Sequence, residues 1–380
     1  MVLTSHNPAS HRGAHWQTGR LLLWVALALW LLTRPPAPLP PVNPGPPQTV
    51  QSALPFLGVH TRLTEEVEPW KIRQSLTLVR EMGAPWIVEF FPWAYSEPRE
   101  GRFDWQHADL IVDHAVAQGV TVIARLGLVP AWARPPDTPL NWLEPEQFPA
   151  FAAFAGAFAE RYRGRVDHII IWNEPNLAFE WGGRGVNSAD YTAMLRLVTP
   201  AIKQANPQAV VLAGALAPTL EPPGSPNGLD DLIYLEELYE QGAHAWFDAL
   251  AVHAYGLTFP PDSPPDPRLL NFRRVELLRE LMVRYGDGDT PVYITETGYN
   301  DHPRWTLAVS PAQRIAWTVA SVEWAAAEWP WVEVMAIWLF RLPAPARSYL
   351  DYYTLVTPEF VLRPLYTELR QLTGNARPDP

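Results

Sequence analysis

The chain has 380 residues, 48% hydrophobic and 18% charged, which excludes a globally disordered polypeptide and supplies apolar side chains for a large core. It contains no cysteine, so disulfide frameworks, thiolate metal centres and cysteine nucleophiles are excluded. A net charge of −11 argues against a nucleic-acid partner, because neutralising phosphates requires a basic face.

The charge is unevenly placed. Arg12, Arg20, Arg34 and Arg62 precede the first acidic residue, Glu65, so residues 1–64 carry +4 and the remainder −15. Within the basic segment, Leu21 to Leu32 is an unbroken apolar run of twelve residues. As a helix it would rise about 18 Å, short of the roughly 30 Å hydrocarbon core of a bilayer. That length fits the apolar region of a signal peptide, yet no A-x-A cleavage pattern follows it, which leaves an uncleaved anchor open. Residues 1–33 are expected to be a signal peptide or membrane anchor. The protein is then extracytoplasmic, secreted or tethered through Leu21–Leu32. Residues 34–50 read as a proline-rich linker, with eight prolines between positions 35 and 47. Such a stretch takes extended polyproline II and acts as a stiff spacer.

Residues 51–380 alternate short apolar runs with helical patterns. The runs are Phe56–His60, Trp86–Phe90, Val120–Leu126, His168–Trp172, Val210–Ala213, Ala249–His253, Val292–Thr295 and Val334–Phe340. They barely alternate, as expected of parallel strands covered on both faces. Between them, Pro69 can open a helix that Gly83 stops, and Ser310-Pro311-Ala312-Gln313 reads as a capping box. Phe148, Phe151, Phe154, Phe158 and Tyr162 form a helical stripe read as core packing. Pro200 interrupts another helical pattern, which is expected to kink or split there. A doubly wound sheet competes with this reading, but no G-x-G-x-x-G or P-loop follows the first strand. The expected fold is α/β, a single (β/α)8 barrel, with its chemistry at the C-terminal ends of the strands.

The fourth run ends in Trp172-Asn173-Glu174-Pro175, where Pro175 should push Glu174 towards extended geometry and stop the strand. The seventh ends in Thr295-Glu296-Thr297-Gly298. Two glutamates leaving the fourth and seventh of eight strands would face each other across one barrel mouth. A pair of carboxylates about 5–5.5 Å apart is the equipment of a retaining glycosidase.

The Trp172-Asn173-Glu174-Pro175-Asn176-Leu177 motif, with Thr295-Glu296-Thr297-Gly298, resembles the clan A glycoside hydrolases. It looks most like family 39, the β-xylosidase and exopolysaccharide-hydrolase group, and is similar to the cellulase-like family 5. Trp93, Glu97-Pro98, Gly101, Phe103-Asp104-Trp105, Asp109 and Gly119 look like the second barrel unit of these proteins and their β-galactosidase relatives. Family 5 members commonly carry an arginine near the end of the second strand, where this chain has Glu89. The resemblance implies that Glu174 is the acid/base and Glu296 the nucleophile. It further implies that Asn173 binds the sugar 2-hydroxyl, that Tyr255 hydrogen-bonds the nucleophile, and that His253 binds substrate or braces the acid/base. Trp338, at the exit of the eighth run, resembles the clan's sugar platform.

Trp93, Trp132 and Trp181 fall on loops after the second, third and fourth strands, where an indole can pack on the C–H face of a sugar. The five prolines of Pro260–Pro267, after the sixth run, would wall one side of the cleft. No cofactor is implied, and no metal, since His253 has no partner at ligand spacing. The expected partner is an oligo- or polysaccharide; no protein partner is implied. Two readings from other classes fit the same chain: a catalytically inactive carbohydrate-binding barrel, and a membrane-tethered scaffold. The scaffold leaves the paired strand-end glutamates unexplained.

Overall fold

The computed structural model describes residues 43–375, together with residues 20, 22–25 and 27. All eight apolar runs become strands, because each is short, buried and ended by a turn. They are β1 (Leu57–His60), β2 (Trp86–Pro92), β3 (Thr121–Gly127), β4 (His168–Ile171), β5 (Val210–Leu216), β6 (Ala249–Tyr255), β7 (Val292–Gly298) and β8 (Val332–Ile337). Each pairs in parallel with the next and β8 pairs with β1, closing a barrel. After the strands come α1 (Pro69–Met82), α2 (Gln106–Gln118), α3 (Phe148–Arg161), α4 (Ser188–Ala205), α5 (Asp231–Glu240), α6 (Val275–Arg284), α7 (Pro311–Glu328) and α8 (Pro364–Leu372). This is a TIM barrel.

Local chemistry sets the helix ends. Gly83 stops α1 at φ +83°, a left-handed conformation that glycine adopts without steric cost. The Asn187 and Asp230 side chains cap α4 and α5, and Ser310 and Gln313 form the reciprocal capping box of α7. Of the kink or split expected at Pro200, the split does not occur: α4 runs through it as one helix.

The strands divide two cores by alternation. Val88, Ile123, Ile170, Leu212, Ala251, Tyr293 and Val334 fill the barrel interior. Ile87, Val122, Ala124, Ile169, Ile171, Leu250, Val252, Val292 and Ile294 face outward and pack under the helices. The α3 stripe Phe148, Phe151, Phe154, Phe158 and Tyr162 is wholly buried in that outer layer. The period of two decides which polar residues can reach the mouth from inside.

Two compact units divide the chain, residues 1–43 and residues 44–380. The barrel unit therefore includes the last residues of the stretch 34–50 that was expected to be linker. The Gln48 N–H donates to the Ala117 carbonyl (2.7 Å), and Val50 packs on the outer core. In the first unit, residues 22–25 and 27 are helical and exposed; the rest of the Leu21–Leu32 run and most of the linker lie outside the described residues. Among the described residues, no helix is long and apolar enough to cross a membrane.

Candidate active site

At the top of β4, the α4 residue Tyr191 places its hydroxyl between two strands. It donates to the Ile171 carbonyl (2.8 Å) and accepts from the Gly214 N–H of β5 (2.8 Å). Gly214 sits at φ +100°, where an added Cβ would lie 2.4 Å from the Ala251 carbonyl oxygen. It marks a register shift between β5 and β6.

Beyond Ile171 the chain turns sharply. Trp172 and Glu174 take φ +75° and +41°, left-handed values that cost a side-chain-bearing residue about 1–3 kcal/mol each. Pro175 does not hold Glu174 extended, as its influence alone predicts. Glu174 donates its N–H to the Ala215 carbonyl (3.0 Å) and accepts from the Leu177 N–H (2.9 Å), and these bonds set its conformation. The turn sends the Trp172 ring outward against Phe151 and Trp181, leaving the Glu174 side chain at the mouth.

Glu296 reaches the mouth by a different device. Plain alternation from Tyr293 (inside) and Ile294 (outside) would point Glu296 at the helices. Instead Val252 pairs with Ile294 and His253 with Glu296, so β7 carries one extra residue, Thr295, against β6. A bulge of this kind re-aims the following side chains. It places Glu296 beside the inward-facing His253 and Tyr255.

One hydrogen-bonded chain joins both glutamates. Arg125 Nη1 donates to Glu296 Oε1 (2.7 Å), while its Nη2 lies 3.2 Å from His253 Nε2. An arginine can only donate, so His253 Nε2 is the acceptor and the ring proton sits on Nδ1, which donates to Glu174 Oε1 (2.7 Å). Tyr255 donates its hydroxyl to Glu296 Oε2 (2.8 Å). Burial raises the pKa of Glu296, but His253, the Arg125 charge and hydrogen bond, and His60 outweigh it and bring it down to about 2. Burial, reinforced by the Glu296 charge, pushes Tyr255 well above the ordinary tyrosine range, so it stays a donor.

Glu174, His253 and Glu296 each present an atom within 4.8 Å of the others. Two carboxylates and an imidazole at that spacing suit a divalent cation in donor type. However, the guanidinium of Arg125 already occupies both Glu296 and His253, and its fixed positive charge opposes a second cation. The arrangement suits two carboxylates working across a small gap.

Of the residues expected from sequence, the structure gathers Glu174, Glu296, His253, Tyr255 and Trp338. Trp338 is half-buried and stands edge-on to His60, ring centroids 4.5 Å apart. Asn173, beside Glu174, has a buried Oδ1 without a hydrogen-bond partner. The loop tryptophans are corrected. Trp93 and Trp181 are buried at 0% and 2% exposure, which removes them from the cleft walls. Trp93 donates to Glu97 and packs on Phe154, and Trp181 packs on Trp172. Trp132 is part-buried edge-on to Trp93, with its indole N–H given to the Glu97 carbonyl, so its contacts are those of loop packing.

Three residues at the site carried no role in the sequence reading. Arg125 lies two positions above the inward Ile123, so the period of two along β3 points it into the barrel. His60 ends β1 with Nδ1 bonded to the Thr61 carbonyl (2.9 Å), which leaves Nε2 as a buried, unpaired acceptor 3.6 Å from Glu296. Glu180 follows β4, and burial together with the Glu174 charge raises its pKa to about 7 against the Asn173 amide. Glu89, by contrast, faces outward and accepts from the Thr61 hydroxyl and the Leu63 and Thr64 N–H groups (2.6–3.1 Å), bracing the loop after β1. The Pro260–Pro267 loop is tied down as Arg274 donates to the Pro267 carbonyl (2.9 Å) and Asn271 to that of Pro264 (2.7 Å).

A family model described as β-galactosidase, of glycoside hydrolase family 42, matches residues 64–144. No curated protein matches the chain. Among solved structures, a family 39 glycoside hydrolase from Bacteroides cellulosilyticus WH2 is similar at 18% identity and TM-score 0.68, covering 86% of this chain and 65% of that one. A β-xylosidase from Caulobacter crescentus follows at 19% identity and TM-score 0.61, covering 86% and 69%. A family 5 subfamily 18 enzyme from Streptomyces cattleya, solved with GlcNAc, matches at 14% identity and TM-score 0.64, covering 84% and 80%. The barrel is similar to those of clan A glycoside hydrolases. Families 39 and 5 both appear, as the motifs implied. The chain spans just under two thirds of the first of these relatives.

Proposed function

We propose that this protein is a retaining glycosidase that cleaves β-linked oligo- or polysaccharides by double displacement. The observation that carries the reading is the pairing of Glu174 and Glu296 at one mouth, with carboxylate atoms within 4.8 Å. Glu296, held ionised by Arg125 and Tyr255, attacks the anomeric carbon. Glu174, anchored at Oε1 by His253, carries its proton on Oε2 to the leaving oxygen and later takes one from water. The glycosyl ester cancels the charge of Glu296 at the stage when Glu174 must serve as a base. Asn173 Oδ1 and His60 Nε2, both unpaired acceptors, fit sugar hydroxyls, and Trp338 fits a ring face. The relatives' named substrates, β-xylosides and β-galactosides, set the class to try first. The N-terminal segment serves as signal or tether, keeping the barrel outside the cytoplasm.

The test separates the two carboxylates. With a dinitrophenyl glycoside, which needs no proton on departure, Glu174→Ala should still form the glycosyl-enzyme, show a burst, and be rescued by azide to a glycosyl azide of retained configuration. Glu296→Ala should lose activity on every substrate, with azide giving only an inverted product. Equal, unrescuable loss in both variants on the activated substrate overturns the assignment.

A further inference from the structure

The loops after β7 and β8 carry an aromatic series that runs outward from the catalytic network. It joins that network at Tyr255, whose ring lies 5.8 Å from that of Tyr353. Tyr353 is buried and lies 5.8 Å from Tyr349, their hydroxyls 3.4 Å apart. Tyr349 in turn meets Trp305 edge-on at 4.7 Å. The far end of the series opens to solvent: Tyr349 is 40% exposed and Trp305 is partly exposed. The Trp93, Phe151 and Phe154 rings, by contrast, are closed to water.

The backbone that carries these open rings is held in place, and the rings pack on each other. The buried Asn300 donates to the Tyr349 carbonyl (2.9 Å) and accepts at its own carbonyl from Val309 (2.9 Å), lacing the two loops together. The Trp305 backbone N–H donates to the His302 carbonyl (3.1 Å). Fixed rings lose little freedom when a ligand settles on them, which is what a binding platform requires.

We propose that Tyr349 and Trp305 form a saccharide subsite remote from the bond cleaved, on the side of the sugar attacked by Glu296. This rests on the glycosidase reading and deepens it. Glu174 protonates the departing portion, so that portion lies toward the loop after β4. The aromatic series leaves the centre from the Tyr255 and Glu296 side, and there it meets the chain that precedes the scissile bond. Sugar C–H faces pack on such rings while their hydroxyls stay solvated. A platform in that position takes a substrate extending past the sugar under attack. The protein is then able to cleave within a chain and is not confined to trimming one terminal residue.

The experiment compares β-1,4-linked hexasaccharides of xylose, galactose and mannose with the 4-nitrophenyl monoglycosides of the same sugars. Trp305→Ala and Tyr349→Ala should each lower the hexasaccharide-to-monoglycoside ratio of kcat/KM about tenfold, through KM, as expected for one uncovered ring face. Trp305→Phe should restore most of the ratio. Equal losses on long and short substrates, or no loss on either, overturn the subsite. Should no glycoside be hydrolysed, the proposed activity fails but the subsite is still tested. Calorimetric titration of the hexasaccharides into the Glu296→Gln protein should show binding that Trp305→Ala weakens about tenfold. No binding of any of the three, or binding indifferent to Trp305, overturns it.

Discussion

Arg125 holds two partners with one guanidinium, and in the proposed mechanism each partner governs a different half of the reaction. Its Nη1 fixes the Glu296 carboxylate, and its Nη2 fixes the tautomer of the histidine that grips Glu174. Replacing it with Met should lower kcat about a hundredfold, since misplacing a reacting group by an ångström costs that much. The pH profile should move as well. Arg125 helps to keep Glu296 near 2, so its removal raises that pKa, and the acid limb of kcat/KM shifts to higher pH. The stability linked to Glu296 has the same sign. It is present above the ordinary glutamate range and is lost as pH falls towards about 2, and Arg125→Met should lose part of it. Arg125→Lys keeps the charge but not the fork, and should preserve the acid limb while kcat still falls. An acid limb unmoved in Arg125→Met would contradict this account.

At the scale of elements, the mouth is set by how neighbouring strands are pinned near their tops. Tyr191 is the pin between β4 and β5, and Tyr191→Phe withdraws its hydroxyl from Ile171 and Gly214. We expect a loss of about 1–3 kcal/mol in denaturant unfolding, and a fall in kcat larger than any rise in KM. Unchanged stability would show that both strand ends find other partners. The strands themselves were legible because a parallel strand covered on both faces is spelled as a plain apolar run. Their tops were less so. The strands β5, β6 and β7 continue to Leu216, Tyr255 and Gly298, past the points where polar residues and bulges interrupt the apolar pattern. The two glutamates were visible as charges where a hydrophobic run stops. Arg125 was hidden inside such a run and emerges only from counting inward and outward positions along β3. The tryptophans after β2 and β4 were misread for a plain reason: sequence records that a ring lies on a loop but not which way it turns. The positive φ at Trp172 that turns its own ring outward has no local signature, because bonds to distant residues hold that turn.

At the scale of the whole molecule, charge and composition divide the chain into a short basic unit and a long acidic one, and the structure divides it at residue 43. Under the proposed function the two are a catalytic body and an addressing segment with independent duties. Cells expressing the full chain should hold it in the membrane fraction or release it to the medium. Deleting residues 21–32 should leave it in the cytosol with its activity on aryl glycosides intact, measured after fractionation. A full-length chain found only in the cytosol would refute the addressing role.

The extra residue that β7 carries at Thr295 has a consequence for how this barrel tolerates change. Exchanging side chains along β7 alters packing but leaves intact the count that turns Glu296 inward. Losing a single residue between Ile294 and Glu296 would restore plain alternation and swing the carboxylate towards the helices, although strand pairing below could persist. The site is therefore protected against many misspellings and exposed to one miscount. In this strand, residue count and not residue identity is what aims the carboxylate.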